Sequence, residues 1–401
     1  MRLNVFALVL LTCINIIYPV LGLVAFSSLA FTVKLKTYAR KVVFINITLS
    51  LACVAFFYER VNGTGDVVNY IESFKNYASR SSEPFYIANL YEAFYLSWYY
   101  VLYFFNKLAL NFQWISALAI ATIFGSLFFI NNDLYKTCKD QRADRLLLLK
   151  VFLFFSFFSI VSSYKTLWAF SLVYIGIYQL CKSNRLGYVF MLVGLGFHPI
   201  AAAPIAVYFV SRLITFKKKY LVTGLLLGIF IKVSSEIFIR YLNIPFIGDK
   251  IKSYVLGEWA NYRFHDNGEY IKVYLIFSFI LCVFYFVYNN FIDLKKIKQT
   301  HLVKYCNFAL LYFAFSLIFI GFRTLEIRLM SVGMIFLFPL FYVAFSQKSV
   351  FKKKGVALIG VCLWLAVVDI RLFNFSNSAY LVENGLPVNV FLSPIMRVLY
   401  E

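Results

Sequence analysis

Residues 194–207 read GLGFHPIAAAPIAV and sit within one of the most apolar parts of the chain. Titratable His198 and two helix-breaking residues, Pro199 and Pro204, stand where both flanks read as lipid-embedded helix. At that depth a polar group or an interrupted helix is tolerated chiefly where protein or a wet cavity replaces lipid. The stretch poses two questions: whether this chain spans a membrane, and what such a cavity would hold.

The surrounding sequence answers the first. Of 401 residues, 62% are hydrophobic, 20% aromatic and only 14% charged, a balance foreign to soluble domains of this length. Apolar runs of about 17–25 residues recur along the chain, each long enough to cross a bilayer. The expected fold class is an all-α polytopic membrane protein. The first run, 6–31, is too long for a signal-peptide core and reads as a retained span.

A net charge of +21 resembles a nucleic-acid footprint only until its distribution is read. The basic residues gather in short loops between apolar runs: KLKTYARK (34–41), YKTCKDQRADR (135–145), FKKKY (216–220), DLKKIKQTHLVK (293–304) and QKSVFKKK (347–354). Short basic loops are retained on the cytoplasmic side, so they set orientation, and no nucleic-acid partner is expected. Spans are then expected at 6–31, 42–58, 112–132, 146–162, 164–181, 186–198, 199–214, 221–242, 273–291, 303–322, 327–346 and 355–371. About twelve crossings put both termini outside, which for a bacterial inner-membrane protein is the periplasm. Residues 86–110, rich in Tyr and Trp but carrying Glu92, Asn106 and Lys107, suit an amphipathic helix at the outer interface. The reading is a single membrane domain over 1–401, with chemistry at the outer face and three outer segments, 59–111, 243–272 and 372–401, long enough to carry it.

Several residue groups at the outer face can carry chemistry. The first segment opens ERVNGTGDVVNYIESFKNY, with Arg60, Asp66 and Tyr70 around a Gly-Thr-Gly turn. Lys165 stands at the outer end of a span, where a lone lysine ordinarily snorkels to the interface. Arg323 and Arg328 flank Thr-Leu-Glu-Ile in an expected outer turn, with Glu326 between them. Cations converging without matched acids suit a phosphate or diphosphate, which arginine engages through forked hydrogen bonds. In 243–270, Trp259 and Tyr262 beside carboxylates fit either sugar stacking or an interfacial aromatic belt. The seven cysteines show no C-x-x-C spacing, and the histidines form no H-x-x-x-H pair. Neither a metal nor another cofactor is expected.

The order of these segments resembles the Wzy-type polysaccharide polymerases, specifically their EpsG-like branch. NGTGDVVNY (62–70) is similar to that family's Gly-Thr-Asp-x-x-x-Tyr, YEAFYLSWYYVLYF (91–104) to its Glu-Pro-Gly-Tyr-x-Leu-Leu helix, and GFHPIAA (196–202) to its Phe-His-x-Ser-Ala. EIRLMSVGMIF (326–336) looks like its late Glu-Arg segment. Lys165 departs from the pattern, standing where the family usually has arginine; Pro199-Ile200 and Ser331-Val332 depart too. The resemblance implies a GT-C-like membrane fold with a cavity open to the periplasm and His198 at its floor. It also implies glycosyl transfer between two undecaprenyl-diphosphate-linked oligosaccharides, as donor and acceptor, with a chain-length regulator as a possible partner.

On that reading Lys165, Arg323, Arg328 and Arg60 bind the diphosphate, and His198 or Asp66 is the base. Tyr70, Glu92, Trp259 and Tyr262 orient the sugar, and membrane lipids surround the whole. Two other activities share parts of this pattern. A flippase for the lipid-linked oligosaccharide requires cations along several spans, whereas here the spans are nearly charge-free apart from Lys232 and Glu236, four apart and positioned to pair. An O-antigen ligase shares donor and fold logic but ordinarily has one dominant late outer loop.

Overall fold

The computed structural model describes residues 5–33, 35, 37–56, 66–79, 93–138, 164–241, 284, 297 and 299–346. The expected spans 146–162 and 355–371, nearly all of 273–291, and the outer segments 243–272 and 372–401 lie outside them. Every described element is helical, and no strand occurs among the described residues. Helices Thr37–Phe56, Phe112–Thr137, Thr300–Phe319 and Arg323–Val343 are each long and apolar enough to cross a membrane. Many large apolar side chains are exposed rather than buried, among them Leu186, Val189 and Leu192 on one helix and Leu226 and Phe230 on another. Apolar residues facing outward from a helical protein face lipid. The chain is a polytopic helical membrane protein.

It divides into two compact units, one formed by 1–176, 186–201 and 366–401, the other by 177–185 and 202–365. In the first unit, α1 (Val5–Ile17) and α2 (Pro19–Thr32) occupy the expected first span. That span is not one straight helix: Pro19 has no N–H to give and the helix breaks before it. Helix α3 (Thr37–Phe56) packs on α2 and on α6 (Phe112–Cys138). Polar side chains join α1 to α3. Asn15 Nδ2 donates to Asn46 Oδ1 at 3.0 Å, Asn46 Nδ2 to Thr12 Oγ1 at 3.2 Å, and Ser50 Oγ to Asn15 Oδ1 at 2.6 Å. In lipid, where burying apolar surface gives helices no preference for one another, small and polar contacts supply specificity.

Helix α4 (Asp66–Ser79) packs on α5 (Leu96–Lys107), and α5 packs on α6 and α8 (Leu186–Phe197). Part of the expected 86–110 helix is therefore α5, whose Trp98 and Leu102 are buried against protein. Helix α7 (Tyr164–Cys181) runs beside α8, and their approach depends on glycine. A Cβ on Gly194 would lie 2.8 Å from the Ala169 carbonyl oxygen, inside contact distance.

In the second unit, α9 (Ala202–Ser211) and α10 (Lys219–Tyr241) pack on α11 (Thr300–Ser316). Asn307 of α11 closes the end of α9. Its Nδ2 donates to the carbonyls of Ser211 and Ile214 at 2.8 and 2.9 Å, and its Oδ1 accepts the Phe216 N–H at 2.7 Å. After α11 the chain turns at 320–322, where Gly321 takes φ +84°, a conformation other residues adopt only with strain. It then enters α12 (Arg323–Glu326), a π turn over Ile327–Ser331, a tight 3-10 stretch over Val332–Leu337 and α13 (Phe338–Ser346).

Two of the expected spans are short. Helix α8 has 12 residues and α9 has 10. At about 1.5 Å per residue they rise roughly 18 and 15 Å, against a hydrocarbon core of about 30 Å.

Candidate functional site

The first turn of α7 carries Lys165, and three rings gather round its ammonium. Nζ lies 4.0 Å from the ring centre of Tyr95, 4.7 Å from Trp98 and 5.8 Å from Tyr70. Each ring comes from a separate piece of local structure: Tyr70 from α4, Trp98 from α5, and Tyr95 from the turn leading into α5. The rings are held in turn by one another. Tyr70 meets Trp98 edge-on at 5.1 Å and Tyr164 at 5.5 Å, and both Trp98 and Tyr164 are fully buried. A ring face attracts a cation through its quadrupole and does not cancel its charge. A lysine seated this way is held at a fixed place, unlike one snorkelling along the interface.

His198 follows α8 directly, and Pro199 opens a 3-10 turn over Pro199–Ala201. The helix ends there as the sequence requires. His198 donates its backbone N–H to the Gly194 carbonyl at 3.3 Å and accepts the Ala201 N–H on its own carbonyl at 2.9 Å. Its side chain is 8% exposed, with Nδ1 accepting the Ile200 N–H at 3.2 Å. The imidazole also lies 5.6 Å from Tyr95, edge to face at 82°. Tyr95 therefore touches both Lys165 and His198. Because Nδ1 serves as an acceptor, the neutral imidazole carries its proton on Nε2 and presents a donor there.

Asp66 begins α4, one turn before Tyr70, and is half-buried. A carboxylate in the first turn of a helix is favoured by the unpaired backbone N–H groups. The fold thus brings Lys165, Tyr70 and His198 into one cluster and puts Asp66 on the helix that supplies Tyr70. Arg60, Glu92, Trp259 and Tyr262 lie outside the described residues.

The second unit holds Arg323 and Arg328. The sequence placed them on either side of Thr-Leu-Glu-Ile (324–327) in an outer turn; the chain instead turns at 320–322 and Arg323 already begins a helix. The cause is local. Gly321 supplies the positive φ, and Glu326 reaches back so that Oε2 accepts the Gly321 N–H at 2.7 Å. Arg328 lies in the π turn, where the backbone ladder is offset, and Tyr312 donates its hydroxyl to the Leu329 carbonyl at 2.7 Å. Such π turns occur often at functional sites. Fully buried Glu326 also exerts an attractive field on Lys232, whose Nζ lies 4.7 Å from the Phe322 ring centre. Pairing of Lys232 with Glu236 involves a side chain outside the described set.

The sequence pattern of the EpsG family matches residues 40–383, most of the chain. The chain belongs to the EpsG family. No curated protein and no solved structure matches it. As an EpsG-family member it is a membrane protein of polysaccharide assembly, a glycosyltransferase-like polymerase in general terms. Lys165, its three rings, His198 and the Arg323–Arg328 segment all fall within the matched residues.

Tyr95 and Trp98 were not among the residues singled out in the sequence of this EpsG-family chain. Their i, i+3 spacing in Tyr-x-x-Trp puts both on one helix face, which was the available signal. It was masked because nearly every neighbour in YLSWYYVLYFF (95–105) is also aromatic or aliphatic.

Proposed function

We propose that the chain joins undecaprenyl-diphosphate-linked oligosaccharide repeat units by glycosyl transfer at the periplasmic face of a bacterial inner membrane. It does so in a GT-C-like arrangement of about twelve spans. The observation that carries this reading is the Lys165 ammonium held by Tyr70, Tyr95 and Trp98, with His198 against the same Tyr95, on an EpsG-family chain.

In the reaction, an acceptor sugar hydroxyl attacks the donor's anomeric carbon, the bond to the diphosphate oxygen breaks, and the lipid diphosphate leaves with the electron pair. The protein must neutralise that departing anion and remove the hydroxyl proton. Preorganised charge at the place where charge develops is usually the largest catalytic term. Lys165 suits this need because its rings hold the ammonium at a fixed place. Arg323 and Arg328 add forked donors, with Glu326 shaping their turn, and Arg60 a further cation. His198, with Nδ1 engaged by Ile200, donates from Nε2 to a substrate oxygen, which leaves Asp66 as the base. Tyr70, Glu92, Trp259 and Tyr262 orient the sugars.

Depth supports a cavity. With Leu186 at the cytoplasmic side, as the expected order of spans has it, the rise of about 18 Å over α8 fits an imidazole inside the membrane better than one at its outer surface. Interrupted backbone at such a depth belongs beside a cavity or within protein.

The reading is tested by deleting the gene and examining the surface polysaccharide. The expected result is saccharide capped at a single repeat unit, restored to a ladder by the wild-type chain. A normal ladder in the deletion strain, with no second polymerase present, rejects the function. Loss of even single capped units would point to a flippase or ligase.

A further inference from the structure

The first unit contains a concavity apart from the Lys165 cluster. It is a groove of about 410 Å³ between α3 and α6. Along its body it is lined by Thr48, Leu49, Gly125 and Phe129, and Leu49 and Phe129 expose their side chains. A Cβ placed on Gly125 would meet a single atom, Thr48 Cγ2, in ordinary contact at 3.9 Å.

One end is chemically different. There the lining is Lys41, Asn132, Asp133 and Lys136, beside the basic stretches 34–41 and 135–145. Fully buried Arg40 lies next to it, with its guanidinium 3.9 Å from the Tyr135 ring centre. The charged groups named at this end sum to a positive charge.

An apolar trough with a cationic head matches an anionic lipid. We propose that this groove binds phosphatidylglycerol from the leaflet on the side of the basic loops. One acyl chain runs along Thr48, Leu49 and Gly125. The phosphate sits at Lys41 and Lys136. A choline lipid has the phosphate but brings a quaternary ammonium towards the lysines. The site is separate from the glycosyl-transfer cluster and does not depend on that assignment.

The test is native mass spectrometry of the full-length protein in detergent, offered phosphatidylglycerol and phosphatidylcholine of identical chains at equal concentration. The wild type is expected to retain phosphatidylglycerol about tenfold better, the size of one charge-assisted contact. Lys41→Gln with Lys136→Gln should remove that preference. Gly125→Leu should reduce phosphatidylglycerol retention with no change in charge. Equal retention of both lipids by the wild type overturns the proposal, as does a preference that survives the lysine substitutions. Preferential retention of undecaprenyl phosphate in competition also overturns it, in favour of a carrier-lipid site. If the double variant does not survive solubilisation, Gly125→Leu decides: undiminished retention of phosphatidylglycerol refutes the groove.

Discussion

Replacing Lys165 with methionine keeps the apolar stem between Tyr70, Tyr95 and Trp98 and removes only the charge. Two of the three rings lie within 5 Å of Nζ, at 4.0 and 4.7 Å, so the resting contacts are real cation–π pairs. Each is worth about 0.5–1 kcal/mol when exposed and about 2 kcal/mol when desolvated. Their loss is partly offset by the methionine thioether packing on the same rings, and buried Trp98 and Tyr164 still brace the cluster. The fold is therefore expected to survive. Catalysis should not. A charged hydrogen bond to the leaving diphosphate contributes about 1.5–3 kcal/mol. If it is fully expressed in the transition state, turnover falls roughly tenfold to hundredfold. Lys165→Arg should be the mildest change, since guanidinium also stacks on aromatic faces and forks onto phosphate. Tyr95→Leu should fall between them, because it strips one ring from both Lys165 and His198, whereas Tyr95→Phe should stay near wild type. The assay is chain-length distribution in the deletion strain complemented at matched membrane expression, followed by consumption of lipid-linked repeat units by purified protein. If Lys165→Met supports wild-type chain length and turnover, the ammonium does not meet the diphosphate and the cluster is only a packing feature.

Other outcomes follow from the same geometry. Arg323→Lys and Arg328→Lys should each lower polymerisation roughly tenfold or more while leaving folded protein in the membrane, because a point charge cannot reproduce forked contacts; unchanged ladders for both would make them interface anchors. Asp66→Asn should abolish polymer, whereas His198→Asn, which keeps a donor, should retain measurable turnover; the reverse ranking would return the base to His198.

The helical, membrane-spanning class was legible from composition and apolar run length, because lipid demands continuous apolar helix whatever the neighbours are; the family was legible only from short motifs such as NGTGDVVNY and GFHPIAA in their order. The end of α8 at His198 was legible too, since Pro199 cannot continue the backbone ladder. Helix lengths were less so: the sequence counted 186–198 and 199–214 as crossings, and their helices prove far shorter than a bilayer core. The turn before Arg323 was misplaced by a few residues because its position depends on Gly321 and on Glu326 reaching back to it, contacts that hydropathy does not register. What only the tertiary structure decided is the surroundings of Lys165. Tyr70, Tyr95 and Trp98 reach it from two helices and a turn, and along the chain each is one more aromatic in a run of aromatics. Hydropathy records how well a residue suits lipid or a protein interior. Which ring faces which cation is set by helix packing, and that information exists only once α4, α5 and α7 are in contact.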